Sequence, residues 1–190
     1  MALLRAATLA HPGLLRWGWM VILLLVAGSL KLSAQTAAPA EYQIKAVFLF
    51  NFARFVDWPA KAFPDADSPF VMGVLGDDPF GSYLDETVRG EKVNGHPLTV
   101  QRYRRVSEVK ACQVLFVSRS EADHVDQILA SLRGRSTLTV GDTDDFAAHG
   151  GMIRLATEKN KVRMHISLDP VKAANLAISS KLLRVAEVQH

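Results

Sequence analysis

The sequence is poor in cysteine, which limits the ways in which the chain can be stabilised or anchored. Cys112 is the single cysteine among 190 residues, so no internal disulfide can form. No cysteine lies close to the apolar segment near the N-terminus, which argues against a lipid-anchored lipoprotein. That segment, WGWMVILLLVAGSL, has 14 residues, whereas a membrane-spanning helix needs roughly 20. The sequence therefore does not favour a permanent membrane span.

The common catalytic motifs are also missing. No G-x-S-x-G is present, and GDDPFG at 76–81 matches neither spacing of a phosphate-binding loop, although it separates a predicted strand from a predicted helix. We interpret it as a turn with a capping aspartate, with a magnesium site at Asp77 and Asp78 as the alternative. Cys112 begins an apolar segment, which is typical of a small core residue rather than a nucleophile.

A histidine metal site is not expected either. A zinc site needs several ligands that converge, and the internal histidines after the apolar segment are widely spaced: His96, His124, His149 and His165. The aspartates of the DTDDF turn, Asp142, Asp144 and Asp145, are expected to be solvated rather than bound to a metal. We therefore predict a protein that is not an enzyme and that needs no cofactor or metal.

The N-terminus has the layout of a secretory signal peptide. Arg5 and Arg16 precede the apolar segment, and the small residues of LSAQTAAPA follow it. We assign residues 1–34 to the signal peptide and residues 35–40 to a flexible leader, and we expect the mature protein in the periplasm. An uncleaved N-terminal anchor is the alternative, and the exact cleavage site stays open.

Removal of the signal peptide changes the charge of the chain. Residues 1–34 contain three of the 22 basic residues and none of the 19 acidic ones, so 19 of each remain. The basic pI of the whole sequence thus belongs to the export signal and does not indicate a nucleic-acid partner. The remaining residues suffice for one domain, which we place at 41–190.

Helical and strand patterns alternate along this domain. Helices are predicted at 41–56, at 82–89, at 121–132 with Ser120 as its cap, and from Asp169-Pro170 to about residue 178. Short apolar strands are predicted at 70–75, 98–103, 112–118 and 137–141, followed by a hairpin of MIRLA and KVRMHIS. The expected fold is an α/β three-layer sandwich, whose mixed, largely parallel sheet is flanked by helices.

The first helix contains the segment FLFNFARFVDWP. On a helical wheel Ile44, Val47, Phe48 and Phe55 cluster on one side, with Asn51 near the middle of the cluster. We therefore predict that Asn51 is a buried residue whose hydrogen bonds tie the helix to a strand or a loop.

Two further side chains, Arg54 and Trp58, lie near the end of this helix and are predicted to contact a ligand or a partner. A second candidate pair lies on the last predicted strand, KVRMHIS. Arg163 and His165 point to one side of this strand, and their cationic or dipolar groups suit a carboxylate or another small anion. An exposed edge strand with polar residues in water is the alternative interpretation.

Several blocks of the sequence resemble the YfiR-like family of periplasmic regulatory proteins. They are KAVFLFNFARFVDWP, VLGDDPFG, CQVLFVS, the segment from Gly150 to Leu155, and NLAISSKLLRVAEV. The resemblance implies a secreted α/β domain without known enzymatic activity that forms a homodimer. It also implies that the partner is the periplasmic domain of an inner-membrane diguanylate cyclase or sensor kinase, and that an outer-membrane lipoprotein is a further partner.

One departure from the family concerns disulfides. Family members commonly carry cysteine pairs, whereas here the strand VMGVLG has no cysteine to partner Cys112. Redox control by an internal disulfide is therefore not expected, and an intermolecular disulfide requires that Cys112 be exposed.

Two functional hypotheses follow. The first is a non-catalytic periplasmic regulator that binds and represses an inner-membrane signalling protein, most simply a diguanylate cyclase. The second is a small-molecule sensor that holds an amino acid or small anion against Arg163 and His165, with Arg54 and Trp58 closing the site.

Overall fold

The computed structural model describes residues 37–189, with side chains from residue 40. The predicted signal peptide, residues 1–34, and the first two residues of the predicted leader lie outside the described residues. Ala38–His190 form one compact unit.

The first helix, α1, spans Ala37–Phe55, which corrects the predicted leader, because residues 37–40 are helical. Alanine dominates this segment and is the strongest helix former. Pro39 lies in the first turn, where a missing N–H costs no intrahelical hydrogen bond. The helix therefore begins four residues earlier than predicted.

The described residues contain ten strands, and eight of them form one sheet. The strands are β1 Val56–Asp57, β2 Phe70–Leu75, β3 Lys92–Val93, β4 His96–Tyr103, β5 Val114–Val117, β6 Leu138–Gly141, β7 Ile153–Glu158, β8 Lys161–Ser167, β9 Ala177–Ile178 and β10 Glu187–Gln189. The sheet order is β10-β8-β7-β6-β5-β2-β4-β3, and β1 pairs separately with β9. Only the β7–β8 and β3–β4 pairs of the sheet are antiparallel. The predicted α/β class and the mixed, largely parallel sheet are confirmed.

The remaining helices are short and connect the strands. They are α2 Ser82–Val88, α3 Val125–Ser131, α4 Leu168–Ala173 and α5 Ser180–Leu183, with 3-10 turns at Ala60–Ala62, Val106–Glu108 and Arg119–His124. Helices and turns cover both faces of the sheet, because alternate residues of its central strands belong to two separate buried clusters. Residues of α1, α2, α4 and α5 pack into one cluster, and residues of α3 pack into the other.

The helix predicted at 121–132 differs in its start. A 3-10 turn, Arg119–His124, precedes α3, and Ser120 does not cap a helix. Its hydroxyl instead accepts a hydrogen bond of 2.9 Å from the backbone N–H of Asp77. Ser120 thus joins the loops that follow β5 and β2.

The helix predicted to run to residue 178 is shorter than expected. It ends at Ala173, and Asn175 adopts a left-handed conformation with φ of 58° that breaks the helix. The chain then returns to pair Ala177 and Ile178 with β1. This small ladder fastens the end of α1 to the C-terminal part of the domain.

Candidate functional site

A buried group of charges lies where α1 crosses the carboxyl end of β6. Asp142 follows β6 directly, and its Oδ2 lies 2.6 Å from Nζ of Lys45, with both side chains fully buried. Nζ of Lys45 also lies 2.5 Å from Oε1 of Glu41, one helical turn earlier. The hydroxyl of Tyr42 donates to the same Asp142 oxygen at 2.9 Å. Two side chains of one helix therefore converge on the Asp142 carboxylate, and a third, Glu41, pairs with Lys45.

Arg119 completes this group, which we call the Asp142 cluster: Glu41, Tyr42, Lys45, Arg119 and Asp142. The guanidinium of Arg119 donates to the backbone carbonyl of Asp142 at 3.1 Å, and its Nε lies 3.4 Å from Oδ1. Arg119 follows β5, so the cluster joins α1 to the ends of two neighbouring strands. The Arg119 side chain is more than half exposed and forms the solvent side of the cluster.

The electrostatics of the cluster keep Glu41 ionised and Tyr42 neutral at neutral pH. Partial burial alone would raise the pKa of Glu41, but hydrogen bonds with Lys45 and Thr157 and the nearby positive charges bring it below its ordinary value. Burial and the neighbouring Asp142 carboxylate raise the pKa of the Tyr42 phenol well above its usual range, so Tyr42 remains a hydrogen-bond donor. The ammonium of Lys45 is enclosed and out of reach of a substrate. The geometry therefore points to an anchor for α1 rather than to catalysis.

The sequence analysis missed this cluster and expected Asp142 to be solvated, which is wrong. Asp142 is 1% exposed, whereas Asp144 and Asp145 in the same turn are exposed as predicted. The signal that could have revealed the cluster is Lys45, which lies between Phe52 and Val56 on the helical wheel. A lysine at such a position requires a buried acidic partner.

The cluster fixes which face of α1 points outward. The buried face of α1 carries Lys45, Ala46, Leu49, Phe52 and Ala53. Of the apolar side chains that cluster on the helical wheel, Phe48 and Phe55 pack against the core, whereas the other two lie outside it. Ile44 and Val47 are 48% and 49% exposed.

The prediction that Asn51 is buried is wrong, because the residue is half-buried and lies on the outward side of α1. Ile44, Val47, Asn51 and Arg54 follow one another at spacings of three and four residues, which places them on one stripe of the helix. We call this stripe the outer row of α1. It is aliphatic near the start of the helix and cationic near its end.

The two predicted contact residues at the end of α1 differ in their surroundings. Arg54 is exposed, and its guanidinium lies 5.7 Å from the centre of the Phe50 ring. Trp58 is half-buried, its indole N–H donates to the backbone carbonyl of Gln113 at 3.3 Å, and its ring packs edge-on against Phe70 at 4.9 Å. Trp58 is thus committed to the domain's own packing, whereas Arg54 is available to a partner.

Arg163 and His165 lie on the opposite face of the sheet from α1. Met164 and Ile166, which alternate with them along β8, belong to the buried cluster that includes α1. The structure therefore does not bring Arg163 and His165 together with Arg54 and Trp58. Arg163 is exposed.

Two acidic residues flank His165. Its Nε2 lies 3.3 Å from Oε1 of Glu158, and its Nδ1 lies 3.3 Å from Oε2 of Glu187. Glu187 belongs to β10, which pairs with β8 in parallel. With both ring nitrogens beside carboxylates, His165 is poorly placed to bind an anion.

The remaining candidates have structural roles. Cys112 is buried, and burial raises the pKa of its thiol to about 12, so neither a reactive thiolate nor an intermolecular disulfide is available in the folded domain. Asp78 accepts a hydrogen bond from the N–H of Phe80 and forms an ion pair with Arg102.

Within residues 37–189, no group of three or more His, Cys, Asp or Glu side chains is placed to hold a metal ion. Across the same part of the chain, no helix has both the length and the apolar character needed to cross a membrane.

The sheet, the helices on both of its faces and the anchored first helix define a small α/β domain. The sequence matches the profile of the YfiR/HmsC-like family over residues 42–187, and the chain belongs to this family. The family consists of periplasmic proteins associated with the regulation of diguanylate cyclase signalling, and it is known as regulatory rather than catalytic. No curated protein matches the chain.

The chain also has partial similarity to solved structures, among them the following two. A conserved domain protein from Vibrio cholerae O1 biovar El Tor is 10% identical with a TM-score of 0.46, and the match covers 63% of this chain and 54% of that one. The ABC domain in complex with L-Trp from Streptococcus pneumonia is 10% identical with a TM-score of 0.49, covering 80% of this chain and 60% of that one. The chain thus spans less than two thirds of the length of either of these two structures.

Proposed function

We propose that this protein binds the periplasmic part of an inner-membrane diguanylate cyclase and represses it, using the outer row of α1 as its contact surface. The observation that carries this proposal is the exposure of Ile44 and Val47 on a helix that is firmly held by the Asp142 cluster. Membership of a regulatory family supplies the class of partner.

A surface of this kind suits a helix-against-protein contact. Two neighbouring aliphatic side chains, each about half exposed, provide apolar area whose burial favours association. Arg54 at the end of the same stripe provides a charge that selects an acidic counterpart. Because buried ion pairs hold the other side of α1, the helix presents these residues without a large ordering cost.

The proposal predicts that a charge placed in the outer row weakens binding to the cyclase and relieves repression. Val47→Asp is expected to lower the affinity for the cyclase by on the order of ten-fold, because a carboxylate would be buried in an apolar contact. Cyclic-di-GMP should then rise in cells to the level of a deletion strain. Tyr83→Asp, at a similarly exposed aromatic residue on α2, is the matched control. When it is expressed in the deletion strain, it should repress cyclic-di-GMP production as the wild-type protein does.

Two further measurements complete this experiment. Thermal unfolding should be nearly the same for both variants, which would separate loss of binding from loss of folding. Co-purification from membranes should identify the partner. If deletion leaves cyclic-di-GMP unchanged and neither a cyclase nor a sensor kinase co-purifies, the proposal fails. The expected homodimer and the outer-membrane lipoprotein partner remain predictions that the same co-purification addresses.

The alternative proposal, a small-molecule sensor at Arg163 and His165, keeps one supporting observation. Arg163 is exposed, and none of the ion pairs found in residues 40–189 includes it. Loss of a ligand-induced thermal shift in Arg163→Ala would support this site. An unchanged thermal shift in that variant would show that the ligand does not bind at Arg163.

A further inference from the structure

A cavity of about 660 Å³ lies at the amino-terminal edge of the sheet, between α3 and α4. Its lining includes Thr137 just before β6, Thr139 in the first half of β6, and Met152 just before β7. This volume is within the usual range for small-molecule sites. The cavity lies away from the Asp142 cluster, and neither Arg163 nor His165 lines it.

The cavity exists because the sheet is incomplete at this point. β7 pairs with β6 only through Val140 and Gly141, so the first half of β6 has no neighbouring strand on that side. The backbone N–H of Met152 donates to the Thr139 hydroxyl instead, at 3.2 Å. The helices on the two sides of the sheet then form the walls of the gap.

The walls of the cavity are aliphatic. Leu129 and Leu132 come from α3 and the residues after it, and Pro170, Ala173 and Ala174 come from α4 and its C-terminus. No phenylalanine, tyrosine or tryptophan is among the lining residues of this cavity in the described part of the chain. Such walls favour an alkyl chain, because they offer apolar contact without a ring for stacking.

The charges around the cavity have an excess of positive sign. His149 lies 2.7 Å from Asp126 and 3.1 Å from Asp145, so the one acidic residue of the lining already has a partner. Arg133 is exposed, and Arg135 donates to the backbone carbonyl of Lys110.

The two arginines have no acidic partner. Neither Arg133 nor Arg135 takes part in any salt bridge formed within residues 40–189. Arg133 is therefore available to a negatively charged group at the cavity, and Arg135 keeps guanidinium donors besides the one that bonds to the Lys110 carbonyl.

We propose that this cavity binds an aliphatic monoanion, a medium-chain carboxylate, with its alkyl chain between α3 and α4 and its carboxylate at Arg133 and Arg135. The alkyl chain gains stability by leaving water, and the arginines supply hydrogen-bond donors to the head group. The proposal is independent of the partner contact at α1, because the two surfaces share no residue.

Calorimetric titration of the purified protein with decanoate, below its micelle concentration, tests this proposal. Saturable binding of one decanoate per chain is expected, with a negative change in heat capacity. Decan-1-ol, which lacks the charge, should bind at least about five-fold more weakly, because it forgoes roughly one exposed charge-assisted contact with an arginine. Absence of decanoate binding, or equal binding of the alcohol, would overturn the proposal.

Two variants separate the walls from the charges. Ala173→Phe places a ring into the cavity from an exposed position of α4 and should reduce decanoate affinity at least ten-fold. Arg133→Gln should reduce it about five-fold and bring it close to that of decanol. Ala122→Phe and Arg184→Gln, at exposed positions outside the lining, are the matched controls and should bind as the wild type does. Equal affinity in Ala173→Phe and the wild type, with both folded, would also refute the site.

Discussion

Replacement of Lys45 by methionine probes the anchor of α1 most sharply. Methionine matches the length of the aliphatic stem, so the change removes the charge with little loss of packing. The Asp142 carboxylate would then stay fully buried with only the largely exposed Arg119 as a nearby cation, and Glu41 would lose its partner as well. Removal of one member of a buried ion pair costs roughly 3 to 5 kcal/mol. A domain of this kind has about 5 to 15 kcal/mol in total, so the loss is large.

Equilibrium unfolding in urea, followed by circular dichroism, measures this cost. Lys45→Met should lower the free energy of unfolding by roughly 3 to 5 kcal/mol. The double variant Lys45→Met with Asp142→Asn should recover part of the loss, because the uncompensated charge is gone. Arg163→Met, which removes an exposed cation, is the matched control and should change stability by less than about 0.5 kcal/mol. A loss below about 1 kcal/mol in Lys45→Met would refute the reasoning about the cluster.

Three further predictions concern other parts of the domain. Hydrogen bonds with Asp126 and Asp145 raise the pKa of His149 above its ordinary 6.5. The contribution of these contacts to the stability of the folded protein should therefore be fully present below pH 6.5 and lost as the pH rises through the raised pKa. The melting temperatures of wild type and His149→Gln should therefore differ at about pH 5.5 and converge at about pH 9; equal differences at both would contradict this ion pairing. Gly151→Ala should destabilise the protein by on the order of 1 to 3 kcal/mol, because a Cβ would overlap the buried Phe146 ring, and an unchanged urea midpoint would count against this packing. A maleimide reagent should modify Cys112 in urea but not in the folded protein, whereas rapid labelling of the native state would show that the thiol is accessible.

The strands of the central sheet were predictable because they are short, continuous and apolar. The predicted strand at 70–75 matches β2 at both ends, and every residue of β2 is buried. A strand that is covered on both faces needs no alternation, so its composition alone reveals it.

The orientation of α1 was not predictable in this way. The helix is apolar almost all round, so a wheel offers no clear choice between its two faces. The side chain that decides the orientation is Lys45, and its partner Asp142 lies 97 residues further along the chain. The position of Lys45 among apolar residues signals that it needs a buried acidic partner, but which acid supplies the contact depends on the assembled sheet.

The surroundings of the second predicted site, Arg163 and His165, were unpredictable for a similar reason. The alternation of Arg163 and His165 along β8 was read correctly, because it depends only on the strand period. The acidic neighbour Glu187 comes from β10, a terminal segment with no clear pattern in the sequence. Only the pairing of β10 with β8 places Glu187 beside His165, and the sequence pattern did not reveal this pairing.

Photo-crosslinking from position 47 tests the central claim most directly. A photoreactive phenylalanine analogue at Val47, on the outer row of α1, should form a covalent adduct with the periplasmic part of a membrane diguanylate cyclase in intact cells. The same analogue at Tyr83 should form none. An adduct from position 83 alone, or from position 47 only with a second copy of this chain, would contradict the assignment of α1 as the surface that binds the cyclase.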